Sequence, residues 1–444
     1  MRFRTATATS LLLAFLVFLS LFQTARLWYF SPYLSSGPAG DYDLKVEKPG
    51  IDLEECLRPL AIIAHLEGSQ HLEFRPGDPG YDLLWQEALA HLPREDFLTR
   101  VSYGEVKQIR QSGPAVEYIL PVRLSWRQYR QAWGLEPAGG AEESPAIDRF
   151  LLRLSRPTGV YFVDNLQADA HFFEKALLSA EILGQLPKGA GRAVVELPTQ
   201  FKGISLADGL FVPAGPVLLS GLALAPARMN FEQEARLFFV DPSLARKVEE
   251  RDGAVFYTDG VGGLRLYPQG DLEYTLPQPA GSSLRLTAAL EKAVAFLKSH
   301  GGPPEGVLVK EIRPDPNGSG EKTGRTEIAL IFLREGLPLL GERFPLELEI
   351  SEGGVTRFTR IWRFIAGPTP NKRTVFSAES LLSRVAQEEG EARRQIPRLS
   401  NIYLAYYLPR LGAPASYLRP VWVLETPTGG RYIYDAWTGA PLGR

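Results

Sequence analysis

Two short stretches of the chain combine residue types that hold metal ions. In "HLEGSQHLE" the triplet His-Leu-Glu occurs at 65–67 and again at 71–73. On a strand, residues two apart share a face, so His65 with Glu67, and His71 with Glu73, would each present an imidazole and a carboxylate to a divalent cation. The intervening Gly68-Ser69-Gln70 equally suits the turn of a hairpin whose polar residues point outward. In "DPNGSGEKTGRTE", Asp315, Asn317, Ser319 and Gly320 occupy positions one, three, five and six of a calcium loop. Position twelve falls on Thr326, with Glu327 one place late, and the flanks read as strands where that loop needs helices. A phosphate loop fails as well, because Glu321 stands before Lys322-Thr323 and no helix follows. A polar hairpin loop accounts for the same residues.

Acid–base chemistry is the third possibility. In "LFFVDPSLARKVEERDGAVFYTDGVGGLRLY", residues 237–267, Asp241, Asp252 and Asp259 each stand beside a turn former. Asp241-Pro242-Ser243 reads as a turn into a short helix, "PSLARKVEE". Asp252-Gly253 closes that piece, and Asp259-Gly260 joins the strands "AVFYT" and "GLRLY". Each acid therefore has a structural reason to be a corner of a sheet. Paired carboxylates need no local motif. However, no G-x-S-x-G, S-x-x-K or H-E-x-x-H occurs, and five histidines with one cysteine, Cys56, leave few nucleophile–base combinations. The expectation is a protein that is not an enzyme and has no catalytic, cofactor or metal residues.

The elements that would carry these residues begin with a membrane segment. No charged residue occurs in "TATATSLLLAFLVFLSLFQTA", residues 5–25, a helix of about 31 Å and so close to the hydrocarbon core of a bilayer. Arg2 and Arg4 precede it, while Arg26 and the aromatic Trp28-Tyr29-Phe30 follow, which places the N-tail in the cytoplasm and the remainder outside. Cleavage as a signal peptide is disfavoured, because Gln23 and Ala25 make a poor small-residue pair. Thr7, Ser10, Ala14, Val17, Leu21 and Ala25 fall on one stripe of this helix, away from Leu12, Phe15, Phe18, Leu19 and Phe22. Small residues permit close helix packing in lipid, so the stripe is a candidate partner contact, the alternative being a passive anchor.

The external part has no disulfide available and must be held by its core. With 49 basic and 51 acidic residues, net charge −2, it carries no electrostatic footprint for nucleic acid. The organisation expected is a cytoplasmic tail at 1–4, the membrane helix at 5–26, a Ser/Pro/Gly-rich linker at 27–50, a mixed domain at 51–190, a β-rich domain at 191–280 and a helix-plus-antiparallel-sheet domain at 281–444. In the first domain, helices are expected after Asp78 as cap ("GDPGYDLLWQEALAHLP") and over "DAHFFEKALLSAEILGQLP", with "AVEYILPVRLSW" a strand between them. In the last, "LTAALEKAVAFLKSHGG" is a helix followed by the strands "GVLVKEI", "RTEIALIFLR", "RFPLELEIS" and "GVTRFTRIWRFI". The order then recurs: "SAESLLSRVAQEEGEA", capped by Ser377, precedes "LSNIYLAYYLP", "RPVWVLETP" and "RYIYDAWTG". The fold class is α+β, a transmembrane helix followed by a multi-domain extracytoplasmic region with two helix-plus-meander units.

Residues 237–267, with "LEY" after them, resemble the YycH family of two-component-system regulatory proteins, and "RPVWVLETPTGGRYIYDAWTGAPL" is similar to the final strands that YycH shares with its companion family YycI. Order matches too, from short tail through one membrane helix to a large external region. The resemblance implies a non-enzymatic, membrane-anchored partner of a sensor histidine kinase governing cell-wall metabolism, with a YycI-like companion, and leaves open whether the effect is inhibition or activation. Two other classes compete: an external module binding a ligand or Ca²⁺ at residues 315–327, and an anchored cell-wall hydrolase.

Overall fold

Runs rich in Ile, Val, Leu and aromatic residues dominate the chain beyond the linker, and in the computed structural model they assemble into two large sheets. The structure describes residues 52–94, 98–135, 144–175, 180–225, 230–239, 241–278, 284–301, 306–314, 324–391 and 397–443. The segment 5–26, with its stripe Thr7, Ser10, Ala14, Val17, Leu21 and Ala25, lies outside these residues, as does most of the 315–327 loop. Among the described residues no helix is long and apolar enough to cross a membrane.

The first sheet is antiparallel and contains nine strands: β1 (Ala61–Leu66), β2 (Gln70–Phe74), β3 (Thr99–Val101), β4 (Ala115–Ser125), β5 (Ala146–Arg153), β6 (Gly159–Asp164), β7 (Asp169–Glu174), β8 (Arg192–Glu196) and, after the small β9–β10 hairpin (Gln200–Phe201 and Ile204–Ser205), β11 (Phe211–Pro213). Their order is β11-β8-β2-β1-β4-β5-β6-β7-β3. Both faces are covered. On one, Tyr118, Phe150 and Phe162 meet Trp85, Trp126 and Trp133 from the helices Tyr81–His91 and Trp126–Ala132 and the turn that follows. On the other, Leu151, Tyr161 and Val163 pack under Val106 and Ile109 of the helix Tyr103–Ser112. Burial of this kind yields about 25 cal/mol per Å² of apolar surface, and it is what holds the sheet in place of disulfides.

The second sheet joins fifteen strands. Three tight hairpins link Arg246–Glu249, Val255–Thr258, Gly263–Leu266 and Leu272–Thr275. The meander Val307–Pro314, Thr326–Arg334, Leu346–Ser351 and Gly354–Arg360 continues it. A second meander, Asn401–Tyr407, Tyr417–Glu425 and Arg431–Asp435, joins through the parallel pairing of Leu337–Leu340 with Asn401–Tyr407. The helices Leu286–Ser299 and Ala378–Glu391 precede the two meanders as expected, the second capped by the Ser377 hydroxyl accepting from Ser380 N at 3.1 Å. Leu290, Val294 and Leu297 of the first helix are buried on one stripe. Mixed helices and largely antiparallel sheets thus make up the described fold.

Three local expectations are corrected. Asp78 does not cap the helix Tyr81–His91. Its carboxylate accepts from Arg75 N at 2.8 Å, and Gly80 at φ +98° occupies the cap position. "DAHFFE" is strand β7, because Ala170 and Phe172 face one cluster and Phe173 the other, a two-residue period, and only Glu181–Gly184 of that stretch is helical among the described residues. In "PSLARKVEE" one 3₁₀ turn, Pro242–Leu244, is followed by the strand Arg246–Glu249. That segment has no apolar stripe to bury as a helix, whereas Val255–Thr258 offers it a ladder of backbone bonds.

Candidate functional site

The residues singled out for chemistry have three different fates. The aspartates of residues 237–267 are corners. Asp241 Oδ1 accepts from Ser243 N (2.9 Å), Asp252 Oδ1 from Ala254 N (3.1 Å), and Asp259 Oδ1 from both Val261 N (2.9 Å) and Gly262 N (2.8 Å). Cys56 is buried, and burial, reinforced by Glu55 and Asp52, pushes its thiol up to about 12, far from a reactive thiolate. The two His-Leu-Glu triplets do form a hairpin, β1–β2, but not with polar residues outward. His65 and His71 face each other across the ladder and are both buried, with Nδ1 atoms 3.0 Å apart. Neither keeps the glutamate two residues on as a partner: Glu67 is exposed, and Glu73 pairs with Arg75 at 2.9 Å. Among the described residues no group of three or more His, Cys, Asp or Glu is placed to hold a metal ion.

What the histidines reach instead is a buried ionic network under the helix Tyr103–Ser112. Glu117, in the middle of β4, is fully buried and accepts four hydrogen bonds. They come from Arg110 Nη2 (2.7 Å) and Arg149 Nη1 (2.9 Å) on Oε1, and from Arg110 Nε (2.9 Å) and His65 Nε2 (3.1 Å) on Oε2. All its lone-pair directions are used. Burial alone would raise the Glu117 pKa, but the two guanidinium groups and the His65 hydrogen bond outweigh it and hold the carboxyl well below its ordinary range. The chain of bonds is satisfied with both rings neutral, His65 donating through Nε2 and accepting at Nδ1 from His71 Nδ1–H, and burial favours that state by lowering the pKa of each ring.

Arg110 carries the network outward. Its Nη1 donates to Asp208 Oδ2 at 2.8 Å, and Asp208 also accepts from Lys107 Nζ (2.9 Å) and the Tyr103 hydroxyl (2.9 Å). Tyr103 meets Asn165 Oδ1 as well, and Asn165 Nδ2 donates to the Asp208 carbonyl at 2.8 Å. Gly209 completes the cage: its N–H donates to Glu196 Oε1 (3.1 Å) and its carbonyl accepts from Arg149 (3.1 Å). Tyr103, Lys107, Asn165 and Asp208 line an open cleft of about 320 Å³ together with Thr199, Ser205 and Arg398. The segments meeting there are joined by Ala207 N donating to the Leu399 carbonyl (2.8 Å) and Leu399 N to that of Ser205 (2.9 Å), so the cleft lies where the connection between β10 and β11 touches the residues entering the second meander.

The buried histidines give the network a pH dependence. Burial, then the neighbouring His65, lowers the His71 pKa from 6.5 to about 4, so folding favours the neutral ring. That stability is present in full above about pH 6.5 and is lost as pH falls toward 4, because the unfolded chain binds the proton first. Between pH 7 and pH 5 the contribution is about 1 kcal/mol after allowing for partial solvation of the ring. Urea midpoints at the two pH values are expected to differ more in the wild type than in His71→Gln. Equal differences would remove the histidine as the cause.

Of this site only His65 and His71 are evident in the sequence, and in the wrong role. A usable signal was present: Glu117 within "AVEYILPV" is a single charge inside an apolar strand run, where a charge must find a partner.

No protein-family model matches the sequence, and no curated protein matches it. Among solved structures, YycH from Bacillus subtilis matches with a TM-score of 0.63 at 13% identity, covering 89% of this chain and 98% of that one. This chain therefore has the YycH fold. An uncharacterized protein from Eubacterium rectale matches with a TM-score of 0.37 at 13% identity, covering 59% of this chain and 95% of that one.

Proposed function

We propose that this protein is a membrane-anchored accessory regulator that binds and modulates a sensor histidine kinase controlling cell-wall metabolism, alongside a YycI-like companion. The observation that carries the reading is the fold shared with YycH over 89% of the chain, which coincides with the sequence resemblance at 237–274 and 419–442. The apolar run at 5–25 supports an anchor with the N-terminus in the cytoplasm and the bulk outside the cell. Asp241, Asp252 and Asp259 accept from the backbone of their own turns, which supports a non-enzymatic role over the hydrolase reading.

The contact with the kinase runs in this proposal through the stripe Thr7, Ser10, Ala14, Val17, Leu21 and Ala25. Ala14→Phe puts a ring where close backbone approach is needed, whereas Leu12→Phe alters another face and keeps the helix apolar. Packing of about 1–2 kcal/mol is enough to change complex occupancy several-fold. Kinase recovered with the tagged protein from gently solubilised membranes is expected to fall several-fold in Ala14→Phe and to stay near wild type in Leu12→Phe. Absence of a histidine kinase from the wild-type capture would overturn the function, and equal recovery in both variants would remove the stripe from it.

A further inference from the structure

The cleft beside Asp208 has the chemistry of a binding site, and we propose that it takes a small hydroxyl-rich anion, a saccharide or polyol bearing one carboxylate or phosphate. This goes beyond the kinase reading and does not rest on it. The volume, about 320 Å³, is at the lower end of the range for small-ligand sites, about 300–1,000 Å³. The lining holds two cations, Lys107 and Arg398, against one acid, Asp208. Asp208 is not free to repel an anion, since it already accepts from Arg110, Lys107 and Tyr103. Arg398 is exposed and no acid among the described residues pairs with it, so its planar fork of donors is open to a carboxylate or phosphate.

The rest of the lining selects for hydroxyls. Thr199, Gln200 and Ser205 line the cleft without a side-chain hydrogen bond to any described residue, and among the described residues Ala168 and Leu206 are the aliphatic side chains of the lining. An apolar ligand would find little to cover there, whereas a polyol would find donors and acceptors at several points. The Tyr103 and Lys107 side chains are held in position before any ligand arrives, because Asp208 is braced by the fully buried Arg110–Glu117 pair. A ligand spanning Lys107 and Arg398 would tie the helix over the first sheet to the segment entering the strand Asn401–Tyr407 of the second.

The test is calorimetric titration of the full chain in detergent or nanodiscs with glucuronate and with glycerol 3-phosphate, each against inorganic phosphate and neutral glucose. At least one of the two organic anions is expected to bind saturably, at least about 10-fold tighter than phosphate or glucose. Arg398→Gln, at an exposed position that leaves the fold intact, is expected to weaken that binding about 10-fold and to flatten its salt dependence. Thr199→Val is expected to weaken the organic anion several-fold and leave phosphate unchanged. Which probe binds separates the carboxylate source from the phosphate source. No saturable binding of either up to about 10 mM, phosphate binding as tightly as the organic probes, or unaltered affinity in Arg398→Gln at an unchanged melting temperature would each overturn the proposal.

Discussion

Glu117→Ala is expected to lower the unfolding free energy by about 3–5 kcal/mol, because it removes the buried carboxylate that Arg110 and Arg149 share and leaves them only Asp208 at 2.8 Å and the more distant Asp148 at 3.6 Å. Both guanidinium groups are almost completely buried, and both direct donors at Glu117. Arg110 retains Asp208 and Arg149 retains the Gly209 carbonyl, so the fold is weakened rather than abolished. Glu117→Gln preserves shape but turns part of the acceptor into a donor facing donors, and it is expected to lose nearly as much. A double variant, Glu117→Leu with Arg110→Met, removes one of the two arginine charges together with the carboxylate and is expected to be more stable than Glu117→Ala. Urea unfolding of the full chain, followed by the fluorescence of its buried tryptophans, measures all three. A loss below about 1 kcal/mol for Glu117→Ala would mean that water or a rearranged partner satisfies the arginines.

Gly209→Ala is the second large effect, expected at about 2–4 kcal/mol. Gly209 has φ +63°, a conformation that disfavours a side chain by about 1–2 kcal/mol. In addition, a Cβ there would lie 2.7 Å from Arg110 Cζ and 2.8 Å from both terminal nitrogens. That guanidinium cannot withdraw, since Glu117 and Asp208 hold three of its nitrogens between them. Gly203→Ala separates the two causes, for Gly203 has φ +85° with nothing within 4 Å of the added carbon. It should show the backbone penalty alone, about 1–2 kcal/mol. Equal losses for the two variants would mean that Arg110 moves aside freely, and the rigid wall assumed for the cleft would go with it.

These variants also distinguish a structural network from a site it supports. Glu117 and Gly209 are positioning residues outside the cleft lining, Glu117 acting through Arg110 on Asp208 and Gly209 standing next to Asp208 in the chain. The exposed Arg398 is a different case, because its loss is expected to change affinity at unchanged stability.

Much of the fold is set by chemistry that acts over two or three residues, and the sequence by itself determined those parts. The Asp241, Asp252 and Asp259 turns, the Ser377 cap, the buried stripe of Leu286–Ser299 and both late meanders follow from side chains meeting their own nearby backbone or from a clear period of burial. The reading failed where local codes compete: "DAHFFE" has residues that suit a helix, and only the neighbouring strand β6, with Tyr161 and Phe172 rings 4.6 Å apart, makes it a strand. The candidate site could be decided only by tertiary structure. Arg110 meets an aspartate 98 residues away, His65 a glutamate 52 residues away, and the cleft closes against Arg398 beyond both. A buried charge announces that it needs a partner, but which partner it finds depends on strand register and on the helix laid across the sheet, and neither is written in the spacing of the residues themselves.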